Sequence, residues 1–168
     1  MTIPTNLITK ALKISSEKMY RTYVDTRLKK AIVFDLDGTL CEIGESSNPY
    51  NHDGEELPTW LYEREVTKYP DSYAVIILTG RKRREYGELT ENWLHQYHIL
   101  FDRLIMQEWG QAKKNHIYKE EALKELMQEY EIVMLYDDNP DVWEVCERLW
   151  IPFQLVEKSN ILVDCAKL

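Results

Sequence analysis

The chain has 168 residues and a formal net charge of −8, with 44% hydrophobic and 30% charged residues. This composition is typical of a single globular domain with a buried core, and the charge argues against a surface basic enough to coat nucleic acid. No apolar run is long enough to cross a bilayer. Three widely spaced cysteines argue against a disulfide framework. Because the first residues also lack the pattern of a secretion signal, we expect a cytoplasmic protein without membrane contact.

Residues 1–28 are predicted to form an N-terminal helical extension that packs on the core. Apolar residues recur there at helical spacing, at Leu7, Ile8, Ala11 and Leu12. A contact with a partner protein is the alternative that this pattern leaves open. Residues 29–168 are predicted to form the main domain.

The domain begins with a buried strand that ends in two aspartates. Residues 31–34 are apolar, and Asp35, Asp37, Gly38 and Thr39 follow. Charged groups are not buried without partners, so the aspartates should lie just past the carboxyl end of the strand, where open α/β sheets bind ligands. Two carboxylates at this point can hold a hard cation, or one can attack while the other transfers protons. An ordinary Asp-Gly turn is the alternative.

A loop or flap and a short helix are predicted next. Turn residues are frequent in residues 42–56. Pro58 fits the first turn of a helix that continues to about Tyr69.

The second buried strand, residues 73–78, is predicted to end at Thr79, Gly80 and Arg81. A hydroxyl and free N–H groups at a strand end, followed by a helix start, suit a phosphate oxygen. Thr-Gly also occurs in ordinary strand-to-helix turns. Residues 81–84 are the only dense basic cluster, which can steer a substrate locally or form a solvated helix face.

A third strand is predicted over residues 101–106, followed by a helix with three candidate cations near its start, Lys113, Lys114 and Lys119. Lysines on helices are usually solvated, so the sequence alone does not choose among the three. The apolar stripe of this helix is predicted to contain Ile117, Ala122, Leu123 and Leu126.

The fourth strand, residues 131–136, runs into a second acidic pair, Asp137 and Asp138. Asn139 and Pro140 fit the N-cap and first position of the next helix. Capping does not require two adjacent carboxylates at the end of a buried strand, whereas a Mg²⁺ site does require several carboxylates. Residues 152–156 complete the pattern as an edge strand.

The strands alternate with helices, which indicates a parallel sheet with right-handed crossovers. Four segments in this order resemble the motifs of the haloacid dehalogenase-like phosphatases: Asp35-x-Asp37-Gly38-Thr39, Thr79-Gly80-Arg81, the lysine segment and Asp137-Asp138. The resemblance covers residues 30–157. It implies a three-layer, Rossmann-like α/β fold with a central, mainly parallel sheet and helices on both faces. The spacing from Thr39 to Thr79 leaves no room for a large cap domain.

The sequence looks most like one branch of that superfamily, the phosphatase domain of phage polynucleotide kinase-phosphatase. The residues that carry this likeness are Asn48-Pro49-Tyr50, Ile105-Met106-Gln107, Lys119-Glu120-Glu121 and Val142-Trp143-Glu144-Val145. That branch has an arginine in the flap and an aspartate ahead of the lysine helix, where this sequence has Ser47 and Asn115. The sequence contains no phosphate-loop motif of a kinase.

The resemblance assigns a role to each matching residue. It implies that Asp35 is the nucleophile and Asp37 the general acid/base, with Thr79 and Lys119 as further catalytic residues. The expected substrate-binding residues are Thr39, Gly80, Arg81 and Lys114. The expected Mg²⁺ ligands are Asp35, Asp37 through its backbone carbonyl, Asp137 and Asp138.

The predicted function is a Mg²⁺-dependent phosphomonoesterase that forms an aspartyl-phosphate. The preferred substrate is a 3′-phosphate on a DNA or RNA end, with a separate kinase or ligase working beside the enzyme. A nucleotide or another small phosphate ester is the alternative substrate. A non-catalytic interaction module with the same fold, and phosphotransfer to another acceptor, are the alternative functions.

Overall fold

A computed structural model describes residues 28–42, 56–108 and 113–157. The predicted extension up to residue 27 and most of the predicted flap, including Ser47, lie outside the described residues. Within them, helices and strands alternate in chain order: β1 Lys29–Phe34, α1 Leu61–Val66, β2 Ala74–Lys82, α2 Arg83–Gln96, β3 Arg103–Gln107, α3 Asn115–Glu129, β4 Tyr130–Asp137, α4 Pro140–Leu149 and β5 Phe153–Leu155.

The five strands form one parallel sheet in the order β3-β2-β1-β4-β5. The central strand β1 pairs Phe34 with Ile77 of β2 and with Tyr136 of β4. Residues 31–34 of β1 are buried, as expected for a strand covered on both faces. The predicted α/β architecture with a parallel sheet is therefore confirmed.

Each face of the sheet is covered by two of the described helices. The first face packs Leu123 of α3 and Val142 of α4 against Val33 of β1. The second face packs Leu61 of α1 and Trp93 of α2 in the cluster that contains Phe34. Alternate residues of β1 thus face opposite layers, and the carboxyl ends of the strands are the edge where a ligand site is expected.

Several predicted boundaries are wrong. The first helix begins at Leu61 rather than Pro58, because Pro58 forms an antiparallel bridge with Cys41 and the Glu42 N–H donates to the Leu57 carbonyl at 2.8 Å. These contacts hold the segment extended beside the loop that follows β1.

Strand β2 is longer than predicted and contains the whole Thr79–Arg81 motif. The pairing with β3 is irregular between Thr79 and Lys82, and the next helix begins only at Arg83. Ile117, predicted in the buried stripe of α3, is 43% exposed. It lies in the first turn of the helix, ahead of the region that packs on the sheet. No helix within the described ranges is long and apolar enough to span a membrane.

Candidate active site

Two aspartates meet at the carboxyl edge of the sheet because their strands are neighbours. Asp35 directly follows β1, and Asp137 is the last residue of β4. The Asp35 N–H donates to the Tyr136 carbonyl at 2.9 Å, which continues the pairing of the two strands to this point. Gly38 then turns the chain with a φ of 81°, a conformation that favours glycine.

Lys119 of α3 links these two carboxylates. Its Nζ donates to Asp35 Oδ1 at 2.6 Å and to Asp137 Oδ2 at 2.7 Å, and its side chain is 0% exposed. Burial alone would lower the pKa of Lys119, but the charges of Asp137 and Asp35 outweigh it and raise the pKa above its ordinary value. The lysine is therefore held as a cation between two buried carboxylates.

The other two candidate lysines lie elsewhere. Lys113 forms an ion pair with Glu121, and Lys114 is exposed at the N-cap of α3. No contact among the described residues joins Lys114 to the aspartates. The structure thus places only Lys119 at the position that the resemblance assigned to the lysine.

Asp138 completes an acidic cluster with Asp35 and Asp137, in which one oxygen of each carboxylate lies within 4.8 Å of the others. Burial and the neighbouring Asp137 raise the pKa of Asp138 to about 6. Burial likewise raises the pKa of Asp35, although Lys119 opposes this. Burial is the main cause of both shifts, and the negative charge of Asp137 adds to each of them. An all-carboxylate donor set of this kind fits a hard divalent cation such as Mg²⁺.

Asp37 is bound by Arg81 rather than by the lysine. Arg81 Nη2 donates to Asp37 Oδ1 at 2.6 Å, and its Nε lies 3.1 Å from both carboxylate oxygens. Burial would lower the pKa of Arg81, but its hydrogen bonds with Asp37 and that charge raise it. The Asp37 side chain is 27% exposed, against 6% for Asp35, so Asp37 lies at the open side of the site.

The remaining predicted site residues lie around this centre. Thr79 Oγ1 is 3.5 Å from Asp37 Oδ2 and accepts from the Arg81 N–H at 3.2 Å. Thr39 is fully buried, and its carbonyl accepts from the Thr59 hydroxyl at 2.5 Å. Gly80 lies against the side chain of Asn115, where an added Cβ would be 2.5 Å from Oδ1.

Two residues of the site were not predicted from the sequence. Glu56 Oε1 accepts from Arg81 Nη2 at 3.0 Å, and Thr90 Oγ1 accepts from Arg81 Nη1 at 3.4 Å. Both are brought to Arg81 by tertiary packing, and no local pattern distinguishes them from other polar residues. The basic cluster predicted over residues 81–84 is divided, since Arg81 points inward while Lys82 is exposed.

Comparison with known proteins agrees with this geometry. The family model of the polynucleotide kinase PNKP phosphatase domain matches residues 29–160. Two solved structures of the Pnkp1/Rnl/Hen1 complex, one described as an RNA repair complex, each contain a chain that is 32% identical, with a TM-score of 0.68 over 78% of this chain. The match covers 43% and 47% of those two chains, so this chain spans less than half of their length.

A more distant structure, the HAD domain of the effector protein Lem4 from Legionella pneumophila, is 13% identical with a TM-score of 0.47, over 83% of this chain and 95% of that one.

The fold and the matched family define a haloacid dehalogenase-like phosphatase, an enzyme that hydrolyses phosphoric esters. This confirms the resemblance seen in the motifs. More narrowly, the chain belongs to the family of polynucleotide kinase PNKP phosphatase domains.

Proposed function

We propose that the protein is a Mg²⁺-dependent phosphomonoesterase that forms an aspartyl-phosphate on Asp35 and removes the 3′-phosphate from polynucleotide ends. The observation that carries the proposal is the buried bridge of Lys119 between Asp35 and Asp137. Lys119 occupies one oxygen of Asp35 and fixes the direction of the other. A carboxylate held in one orientation beside a cation is suited to in-line attack on phosphorus.

In the first step, a carboxylate oxygen of Asp35 attacks phosphorus and the bond from phosphorus to the ester oxygen breaks. The electron pair stays on the leaving oxygen, which takes a proton from Asp37. The greater exposure of Asp37 supports its assignment as the proton donor, because the alcohol then departs on the open side of the site.

In the second step, water attacks phosphorus and the bond from phosphorus to Asp35 breaks. Asp37, now ionised, accepts the proton of that water, and inorganic phosphate leaves. We expect Lys119 and the Thr79 hydroxyl to donate to the phosphoryl oxygens as their charge changes. Lys114 is exposed at the N-cap of α3, and Thr39 is fully buried. Their proposed contacts with substrate would therefore need a rearrangement on binding.

Asp35, Asp137 and Asp138 would hold Mg²⁺, with the Asp37 backbone carbonyl as a further ligand. When bound, the ion would offset the negative charge that the carboxylates and the phosphate bring together. The donor set supports this proposal, because Asp35, Asp137 and Asp138 each bring one carboxylate oxygen within 4.8 Å of the others.

The proposed substrate follows from the family and from the similar chains of known structure. The family is that of polynucleotide kinase phosphatase domains, and the similar chains belong to a complex described as an RNA repair complex. We therefore propose an RNA or DNA end as substrate, and a separate kinase or ligase that acts on the same ends. The free thiols of Cys41 and Cys146 are compatible with the cytoplasm as the compartment.

A nucleoside 3′-monophosphate is the second candidate substrate. The net charge of −8 favours it, because a negatively charged protein repels a short anion less strongly than a long polyanion.

The test is phosphate release from 3′-phosphorylated RNA and DNA oligonucleotides and from a nucleoside 3′-monophosphate, with Mg²⁺ or with a chelator. We expect the wild type to release phosphate from an oligonucleotide only with Mg²⁺. Asp35→Asn should be inactive with an unchanged circular dichroism spectrum. An active Asp35→Asn would disprove the mechanism, and release from the mononucleotide alone would replace the proposed substrate.

A further inference from the structure

We propose that Glu56 is a positioning residue which, through Arg81, sets the carboxylate of Asp37 for proton transfer. The inference rests on the proposed role of Asp37. It adds a residue that none of the sequence motifs contains.

The guanidinium of Arg81 is almost fully engaged within the protein. Of its five N–H donors, those on Nε and Nη2 are used by Asp37 and Glu56, and Nη1 donates to Thr90. The side chain is 1% exposed, so water cannot replace a lost partner. Arg81 therefore has little donor capacity left for a phosphate, and its main contact is with Asp37.

Glu56 is itself fixed in place. Its side chain is 9% exposed, and its backbone carbonyl accepts from Trp93 Nε1 at 2.8 Å. The neighbouring Leu57 and Pro58 are tied to the loop after β1 by the contacts described above. The backbone of Glu56 is thus joined to Trp93 of α2 on one side and to the loop after β1 on the other.

The reaction explains why a second carboxylate is needed. While Asp37 holds the transferred proton, it is neutral and no longer balances the charge of Arg81. A buried guanidinium without a counter-charge is strongly disfavoured. Glu56 keeps the charge of Arg81 balanced at that stage, so that the guanidinium stays in position and Asp37 keeps its orientation through both proton transfers.

Two substrates with different leaving groups distinguish this positioning role from a general structural role. The first step needs a proton from Asp37 when the leaving group is a sugar alkoxide, but not when it is 4-nitrophenolate. The second step needs Asp37 as a base with either substrate. Loss of the Glu56 charge should therefore slow the second step with 4-nitrophenyl phosphate while sparing the first.

The experiment compares wild type with Glu56→Gln in the full chain with Mg²⁺, by stopped-flow release of 4-nitrophenolate. We expect the ratio of the burst rate to the steady-state rate to rise about tenfold over wild type. On a 3′-phosphorylated oligonucleotide, kcat should fall at least about tenfold while KM stays within about twofold. Glu56→Asp, which retains the charge, should restore most of the steady-state rate.

Glu65→Gln is the matched control, because Glu65 is also a buried, ion-paired glutamate but does not contact Arg81. It should lower thermal stability and leave the ratio of the two rates unchanged. The proposal would be overturned if Glu56→Gln slowed both phases equally or had the kinetics of the wild type. It would also be overturned if Glu56→Asp behaved in the same way as Glu56→Gln. A wild type that hydrolyses 4-nitrophenyl phosphate but no oligonucleotide would reject the proposed substrate and leave this comparison intact.

Discussion

Lys119 combines two properties that are rarely found together in a lysine, complete burial and a positive charge. Its ammonium touches Asp35 and Asp137, which come from two different strands. Removing water from buried charged groups costs free energy, and most of the attraction between the ammonium and the two carboxylates is used to offset that cost. The bridge therefore contributes more to the geometry of the site than to net stability, and its loss would leave two buried carboxylates without a cation.

We predict that Lys119→Met, which keeps the length of the side chain but not its charge, lowers the free energy of unfolding by about 3–5 kcal/mol without divalent ions. Mg²⁺ should recover part of this loss, because it supplies positive charge to the same carboxylates. Urea unfolding followed by circular dichroism measures both effects. Lys124→Met is the control, since Lys124 forms only an exposed pair with Glu120 and should matter little. Equal unfolding midpoints for the two variants would contradict the role of the bridge.

At the contact of Gly80 with Asn115, the end of β2 touches the beginning of α3. We predict that Gly80→Ala displaces the Asn115 side chain and raises KM roughly fivefold, a change worth about 1 kcal/mol. Asn115→Ala in the same chain should relieve most of this effect, so that the two changes are not additive. Steady-state kinetics of the two single variants and the double variant measure the coupling.

Gly87→Ala is the matched control for this pair. An added Cβ there would meet only the flexible side chain of Arg83, at 3.4 Å, and Gly87 lies inside α2 where alanine favours the helix. Its KM should equal that of the wild type. Additive effects of Gly80→Ala and Asn115→Ala would show that their contact does not matter.

Among the secondary-structure elements, α1 is joined to β4 through a buried carboxylate. Glu65 of α1 accepts from the Tyr136 hydroxyl at 2.8 Å and from Lys68 Nζ at 2.7 Å. The ring of Tyr136 stacks on Phe34 with centroids 4.9 Å apart. These contacts belong to the face of the sheet opposite to the one that α3 covers.

The pH dependence of this contact has a definite sign. Burial would raise the pKa of Glu65, but hydrogen bonds from Lys68, Tyr136 and Arg64 outweigh it and lower the pKa below its ordinary value of 4.5. The carboxylate therefore stabilises the fold above about pH 4.5, and this contribution is lost as pH falls through the folded-state pKa.

We predict that Glu65→Gln lowers the melting temperature at about pH 7, and that the difference in melting temperature from wild type shrinks as the pH falls below about 4. Thermal unfolding at a series of pH values is the measurement. Glu63→Gln, on the exposed face of the same helix, should differ little from wild type throughout. A difference that stays constant between about pH 7 and about pH 3 would refute the ionic origin of the effect.

At the scale of the whole molecule, the acidic site should link divalent ions to stability. Mg²⁺ that binds only the folded state adds about 2.7 kcal/mol at a hundredfold excess over its Kd. We predict that Mg²⁺ raises the melting temperature and that Asp138→Asn reduces this rise. Sodium chloride at equal ionic strength controls for the net charge of −8. The same rise with sodium chloride would mean that screening, and not a bound ion, causes it.

Prediction from the sequence succeeded where one segment carries both the structure and the chemistry. The strands β1 and β4 each contain a continuous apolar run that leads into aspartates, whose position follows from the strand itself. The likeness to a known family then singled out Lys119 among three lysines, and the structure places that residue between Asp35 and Asp137.

Prediction failed where a distant segment decides the outcome. Pro58 is typical of a helix start, yet its pairing with Cys41 holds it extended. Glu56, which binds Arg81 beside Asp37, was not predicted, because its position depends on a hydrogen bond from the distant Trp93. Contacts of this kind leave no periodic pattern in the sequence.

The central position of β1 in the sheet also has a consequence for how the protein is made. On the ribosome, β1 emerges before its neighbour β4, which follows about one hundred residues later. At translation rates of about 5–20 residues per second, residues 31–34 would wait roughly 5–20 s for that neighbour. During this interval an apolar strand that the finished fold buries completely has an open edge. The nascent chain is therefore expected to depend on chaperones until the codons for β4 have been translated.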